Sequence, residues 1–128
     1  MNSLTVVGNL VADPEIRHTG SGIAQATFRI GVNRRYMSGG EWKQETTFLP
    51  CVCWSDLAES VGTTLHKGQR VLVHGRLTQR DFEGRDGSRK SVVEIAVEEL
   101  GVSLKNTRKA DATARVEAAP TISNEDFF

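Results

Sequence analysis

Residues 54–68 run Trp54-Ser55-Asp56-Leu57-Ala58-Glu59-Ser60-Val61-Gly62-Thr63-Thr64-Leu65-His66-Lys67-Gly68. Asp56 and Glu59 stand at capping-box spacing, Leu57, Ala58, Val61 and Leu65 make a helical stripe, and Gly68 is the expected stop. This is the one convincing helix in the chain. On either side the pattern changes to period two, the mark of half-buried strands. Upstream, Ala24, Ala26, Phe28, Ile30 and Val32 alternate with Gln25, Thr27 and Arg29, and Glu45–Trp54 is rich in Thr, Phe, Val and Trp. Pro50 predicts that this second segment is an edge or bulged strand. Downstream, Gln69–Gln79 alternates through Val71, Val73, Gly75 and Leu77, and Ser91–Val97 through Val93, Ile95 and Val97. Ser3–Leu10 is a further short β-rich run, and a turn is expected around Pro14 over Ala12–Glu15.

The order is therefore three strands, a helix and two strands. A Gly-bearing hairpin loop, longer than two residues, is expected over Arg34–Lys43, and another over Glu83–Gly87. The arrangement predicts an all-β fold with one helix: a five-stranded OB-fold barrel with the helix between strands 3 and 4. The apolar pulse Val102/Leu104 predicts an extra C-terminal strand that pairs with another subunit. Residues 1–105 form one domain, and residues 106–128, without periodicity, are expected to be a disordered acidic tail.

At 128 residues there is room for one domain with a real core. The net charge is zero, so a strongly basic protein is excluded. No apolar run approaches the ~20 residues of a membrane span, and Met1-Asn2-Ser3-Leu4 lacks a signal peptide's charged and apolar regions. A cytoplasmic location follows, where thiols stay reduced. Cys51 and Cys53, at i and i+2 on a strand, suit neither an intrachain disulfide nor a zinc site, and are expected to be buried thiols. His18, His66 and His74 do not sit at metal-ligand spacings. Enzyme signatures are absent: there is no phosphate-binding Gly loop, no HExxH and no nucleophile elbow. No cofactor is expected.

Aromatic residues are only 6% of the chain, so their placement matters. Tyr36 and Trp42 lie in a polar hairpin beside Arg34, Arg35 and Lys43. Phe82 lies at the start of the other hairpin among Arg80, Arg85, Arg89 and Lys90. Aromatics interleaved with cations suit base stacking and phosphate tracking on single-stranded nucleic acid. Cross-strand packing that merely closes each hairpin is the plainer alternative. Phe48 and Trp54, six apart, share a face with Pro50 and Val52, and on pattern alone core burial is the larger share for that pair.

Val6-Val7-Gly8-Asn9-Leu10, Asp13-Pro14-Glu15-Ile16-Arg17, Lys67-Gly68 and Val73-His74-Gly75-Arg76-Leu77 resemble the bacterial single-stranded DNA-binding proteins. Glu98–Leu104 is similar to the actinobacterial branch, and the short tail to a secondary paralogue. The resemblance implies an OB-fold homotetramer, not an enzyme, that coats single strands during replication, recombination and repair and is found at the nucleoid. It also implies stacking by Tyr36, Phe48, Trp54 and Phe82. Trp42, Arg34, Arg35, Lys43, Lys67, Arg80, Arg85 and Arg89 complete the expected DNA site. It further implies that Glu125, Asp126, Phe127 and Phe128 dock replication and repair proteins, though the tip is less acidic than the family's and lacks its proline. Pro50 and Asp81 stand where the family has basic residues, which predicts weaker DNA binding. The competing expectation is an OB-fold scaffold module that has largely lost DNA binding.

Overall fold

The computed structural model describes residues 1–105. The elements are β1 (Leu4–Leu10), β2 (Glu15–His18), β3 (Ala24–Ser38), β4 (Glu41–Trp54), α1 (Ser55–Thr64), β5 (Arg70–Glu83) and β6 (Arg89–Val102). The strand order β1-β5-β6-β4-β3-β2 closes on itself through β1–β3 pairing at Asn9↔Gly31 and Leu10↔Ile30. The result is a five-stranded barrel with β2 as a short flap on β3. The helix occupies the expected place, after the third barrel strand and before the fourth. Ala24, Ala26, Phe28, Ile30, Cys51, Cys53, Val71, Val73 and Ile95 fill the barrel, and Ala58, Val61 and Leu65 seal it.

Several expectations are corrected. Glu15 does not end a turn but opens β2, a four-residue strand too short to show a period. The first hairpin has no long loop. Gly39 and Gly40, at φ 60° and 80°, reverse the chain in two residues, as a primed turn with two positive φ values does. Pro50 does not put β4 at an edge: β4 lies between β3 and β6. Its parallel ladder with β6 is nevertheless confined to Cys51↔Ile95 and Val52↔Ala96. No side chain caps α1, so the Asp56/Glu59 box does not form; Asp56 instead lies in the first turn, favourable to the helix dipole.

Among the described residues there is also no separate C-terminal strand. β6 runs on to Val102, which pairs with Val71 of the same chain, and the Ser103 N–H donates to the Arg70 carbonyl at 2.9 Å. Val102 is thus paired within its own chain along one edge of β6, and Leu104 lies beyond the strand, 80% exposed. What hid this is a register shift between His74 and Gly75 that leaves Glu98 unpaired and breaks the alternation. Gly75 makes that bulge possible, because a Cβ there would run into the Ala96 carbonyl. The expected tail lies outside the described residues.

Gly75→Ala should therefore cost about 1–3 kcal/mol or more in urea unfolding, the range of an overpacked site. Gly101→Ala, which meets open space, should change stability by less than about 0.5 kcal/mol.

Candidate nucleic-acid interface

Pairing between β3 and β4 runs without a break from Gln25↔Trp54 to Ser38↔Glu41. Strand alternation then assigns each side chain of this ribbon to one of two faces. The outer face carries Gln25, Thr27, Arg29, Gly31, Asn33, Arg35 and Met37 from β3. From β4 it carries Trp42, Gln44, Thr46, Phe48, Pro50, Val52 and Trp54. No carboxylate is among them. The acids of this ribbon, Glu41 and Glu45, fall on the reverse face.

Trp54, Phe48 and Trp42 make a line on the outer face, six residues or about 20 Å apart along the strand. They are 47%, 52% and 63% exposed. These rings are not core. Phe48 lies opposite Gly31, where a Cβ would meet the ring at 3.5 Å, an ordinary van der Waals contact. Arg29 lies over the Phe48 ring, 5.3 Å from its centroid, and Arg35 over Trp42 at 5.5 Å. Such contacts contribute about 0.5–1 kcal/mol at exposed positions. Between the two, the Thr46 hydroxyl donates to Asn33 Oδ1 at 2.6 Å.

The structure does not bring all the expected residues together. Arg34, Tyr36 and Lys43 sit on the reverse face, with Arg34 4.9 Å from the Tyr36 centroid and Lys43 paired across from Tyr36. Phe82, 39% exposed, does share a face with Arg80, which lies over its ring at 5.4 Å. Arg80 Nε also donates to Glu94 Oε1 at 3.3 Å. Arg89 pairs with Glu83 on the other face of that hairpin, and Arg85 is at its turn. There Ser88 donates its hydroxyl (2.6 Å) and its N–H (3.0 Å) to Asp86, which lowers that carboxyl's pKa. Lys67 is exposed after the helix, its N–H bonded to Asp13 Oδ1 at 2.8 Å. Glu125, Asp126, Phe127 and Phe128 lie outside the described residues.

Between the β3–β4 and β5–β6 ribbons opens a cleft of about 670 Å³. Pro50 and Val52 line it together with Thr27, Trp54, Val92, Arg80 and Glu94. Arg17 and Arg29 also line it, and sequence reasoning missed both. Arg29 was legible in principle, since it shares the odd parity of Arg35, but using that parity required knowing the turn length. Among the cleft's charges Arg17 pairs with Glu15 at 3.6 Å and Arg80 with Glu94 at 3.3 Å.

The thiols lie beneath this surface, both free and buried as expected. Burial pushes Cys51 up to about 12, with Cys53 and Glu94 adding to the effect, and Cys53 up to about 11. Above the ordinary thiol value of 9.0 the unfolded chain loses protons that the folded chain keeps. Raising the pH from 9.0 toward about 12 should therefore erode stability. A Cys51→Ala/Cys53→Ala protein should show a shallower decline over that window in urea unfolding than the parent.

A model described as the single-strand binding protein family matches residues 1–103. The single-stranded DNA-binding protein of Mycolicibacterium smegmatis is 48% identical over 120 residues, which span 91% of this chain and 70% of that protein. Single-stranded DNA-binding protein 2 of Streptomyces coelicolor is 47% identical over 116 residues, 88% of this chain and 56% of that one. The single-stranded DNA-binding protein of Corynebacterium glutamicum is 47% identical over 105 residues, 80% and 47% of the two chains.

Proposed function

The chain belongs to the single-strand binding protein family, and from that premise we propose how it holds its ligand. It binds single-stranded DNA without sequence preference along the outer face of the β3–β4 ribbon and the adjoining cleft. The observation that carries this is the acid-free face with Trp54, Phe48 and Trp42 in line and Arg29 and Arg35 beside them. Bases stack on the rings, each contributing about 1–3 kcal/mol, and the arginines meet phosphates. Arg80 and Phe82 extend the surface across the cleft. Arg34, Tyr36 and Lys43 contact only a strand that turns round the ribbon's edge, and Lys67, Arg85 and Arg89 contribute at the periphery. A scaffold that had given up DNA has no use for such a face, so the interaction-module reading is not favoured. Coating of this kind serves replication, recombination and repair at the nucleoid.

Oligo-dT added to the protein should quench tryptophan fluorescence. Trp54→Ala or Phe82→Ala should weaken that binding by ~1–3 kcal/mol and change folding stability by less than about 1.5 kcal/mol. Ile95, fully buried, should by contrast cost about 2–5 kcal/mol when cut to Ala. A protein that leaves oligo-dT unbound at low salt, or a Trp54→Ala protein that binds undiminished, overturns the assignment.

We further propose a homotetramer assembled through β1. One edge of β1 pairs with β5 over Leu4–Asn9, whereas on the other edge only Asn9 and Leu10 meet β3. The open edge over residues 4–8 presents unpaired backbone groups suited to a second copy. Beside it Leu72, opposite Val7 on the sheet's outer face, is 42% exposed. Light scattering at micromolar concentration should give a tetrameric mass, and Leu72→Glu should lower it. A monomeric parent removes the claim.

A further inference from the structure

Among the described residues, four of the five aromatics expected to stack have an arginine over the ring: Phe48, Trp42, Phe82 and Tyr36. Trp54 has none. On the outer face the pairs repeat in one geometry. Arg29 lies opposite Pro50 and reaches Phe48, two residues along β4. Arg35 lies opposite Gln44 and reaches Trp42, also two residues along. The same diagonal step recurs after six residues on each strand, so the face holds two copies of one device. At the third position the residue opposite Trp54 is Gln25, and the same diagonal step puts the apolar Ile23, just before β3, where the capping arginine would stand, so among the described residues no cation lies over the ring.

An arginine lying on a ring occupies a surface that a base would use. Neither Arg29 nor Arg35 has a carboxylate partner within salt-bridge distance among the described residues, in contrast to Arg80 and Arg17. What holds each in place in the free protein is the ring. An exposed cation–π contact is weaker than a stacked base, and a guanidinium binds phosphate strongly, so a strand can exchange one arrangement for the other.

We propose that Arg29 and Arg35 are displaceable caps and that Trp54 is the landing point for the first base. This rests on the DNA-binding reading above. A base stacks on Trp54 without moving any cation. Extension along the ribbon then shifts Arg29 from Phe48, and Arg35 from Trp42, onto phosphates, so stacking at those two rings is coupled to neutralisation of charge. Stacking at Trp54 is not. Engagement of Trp42 should therefore come later and respond more steeply to salt.

The two tryptophans make this measurable one at a time. Trp42→Phe leaves Trp54 as the only tryptophan, and Trp54→Phe leaves Trp42. Both positions are exposed, and circular dichroism checks that each variant is folded. Each is titrated with oligo-dT of about four nucleotides, the short end of what one OB-fold accommodates. The Trp54 signal should be quenched at lower oligonucleotide concentration. The Trp42 midpoint should shift further with salt, by about fivefold more per tenfold rise, the effect of one additional phosphate contact. In stopped flow with a longer oligo-dT, the Trp54 signal should fall first.

Arg35→Gln in the Trp54→Phe background supplies a readout without DNA. Removing the cap should increase acrylamide quenching of Trp42 in the free protein, and it should flatten the extra salt dependence. Equal midpoints and equal salt slopes for the two tryptophans overturn the cap inference while leaving DNA binding intact. So does an Arg35→Gln change that leaves Trp42 no more accessible to acrylamide. Absence of quenching in both single-tryptophan proteins, and in the parent at low salt, overturns the DNA-binding reading itself.

Discussion

The β3–β4 ribbon rests on a two-residue turn whose positive φ angles glycine accepts without strain. Gly39 and Gly40 both take positive φ, a conformation that costs an ordinary L-residue roughly 1–2 kcal/mol. Because the chain reverses there in two residues, Ser38 pairs with Glu41 and every later pair follows in step to Gln25 and Trp54. Parity is thereby preserved across the whole hairpin. Odd residues of β3 and even residues of β4 share the outer face, and a slip of one residue would exchange the faces. In the barrel that parity puts Phe28, Ile30, Cys51 and Cys53 into the core. The other face points away from that core along the whole ribbon, and so carries Trp42 and Phe48 in water beside arginines.

The same parity explains how a chain of zero net charge can hold a polyanion. Its charge is sorted rather than summed. Glu41 and Glu45 go to the reverse face with Arg34 and Lys43, so that Arg35 is left with Trp42 toward the tip and Arg29 with Phe48 where the ribbon meets the cleft. The cleft is different. Arg17, Arg29 and Arg80 line it together with Asp13, Glu15 and Glu94, three against three. A surface so balanced attracts phosphate weakly, whereas its apolar residues, Pro50, Val52 and Val92, and Trp54 suit a base. Phosphate attraction is thus concentrated on the ribbon, and the cleft suits bases.

How much of this was legible depended on whether the signal was local. The helix stripe Leu57, Ala58, Val61 and Leu65 and the alternation from Ala24 to Val32 are properties of consecutive residues, and both match the structure apart from the helix ends: no side chain caps the start, and α1 stops at Thr64, short of Gly68. The exposure of Phe48 and Trp54 was not legible from pattern, because Pro50 and Val52 beside them are apolar; only the family resemblance pointed outward. The division of Tyr36 from Trp42 depends on pairing between strands, and an overestimated loop erased it. A bulge hid the continuation of β6 in a similar way. Glu98 breaks the period, so Val102 looked like a new element rather than the end of an old one. β2 offers only four residues, and Ile16 alone of them faces Gly62 of the helix. Where register was the missing quantity, sequence reasoning stopped.

Pro50 shows how a local weakness becomes a feature of the site. With no N–H it cannot extend a ladder as a donor, and the β4–β6 pairing begins only at Cys51 and ends at Val52. Had the parallel pairing continued toward the hairpin tips, Pro50 and Val92 would lie within one continuous sheet and the two ribbons would stand edge to edge. Because it stops, β3–β4 and β5–β6 diverge from the barrel as separate ribbons while β3–β4 and β5–β6 pairing remains intact within each. The cleft is the space between them, and Pro50 is part of its lining. A basic residue at this position would add a charge to the cleft but restore a backbone donor facing the strand pair. A proline at this position thus shapes the cleft without adding a charge to it.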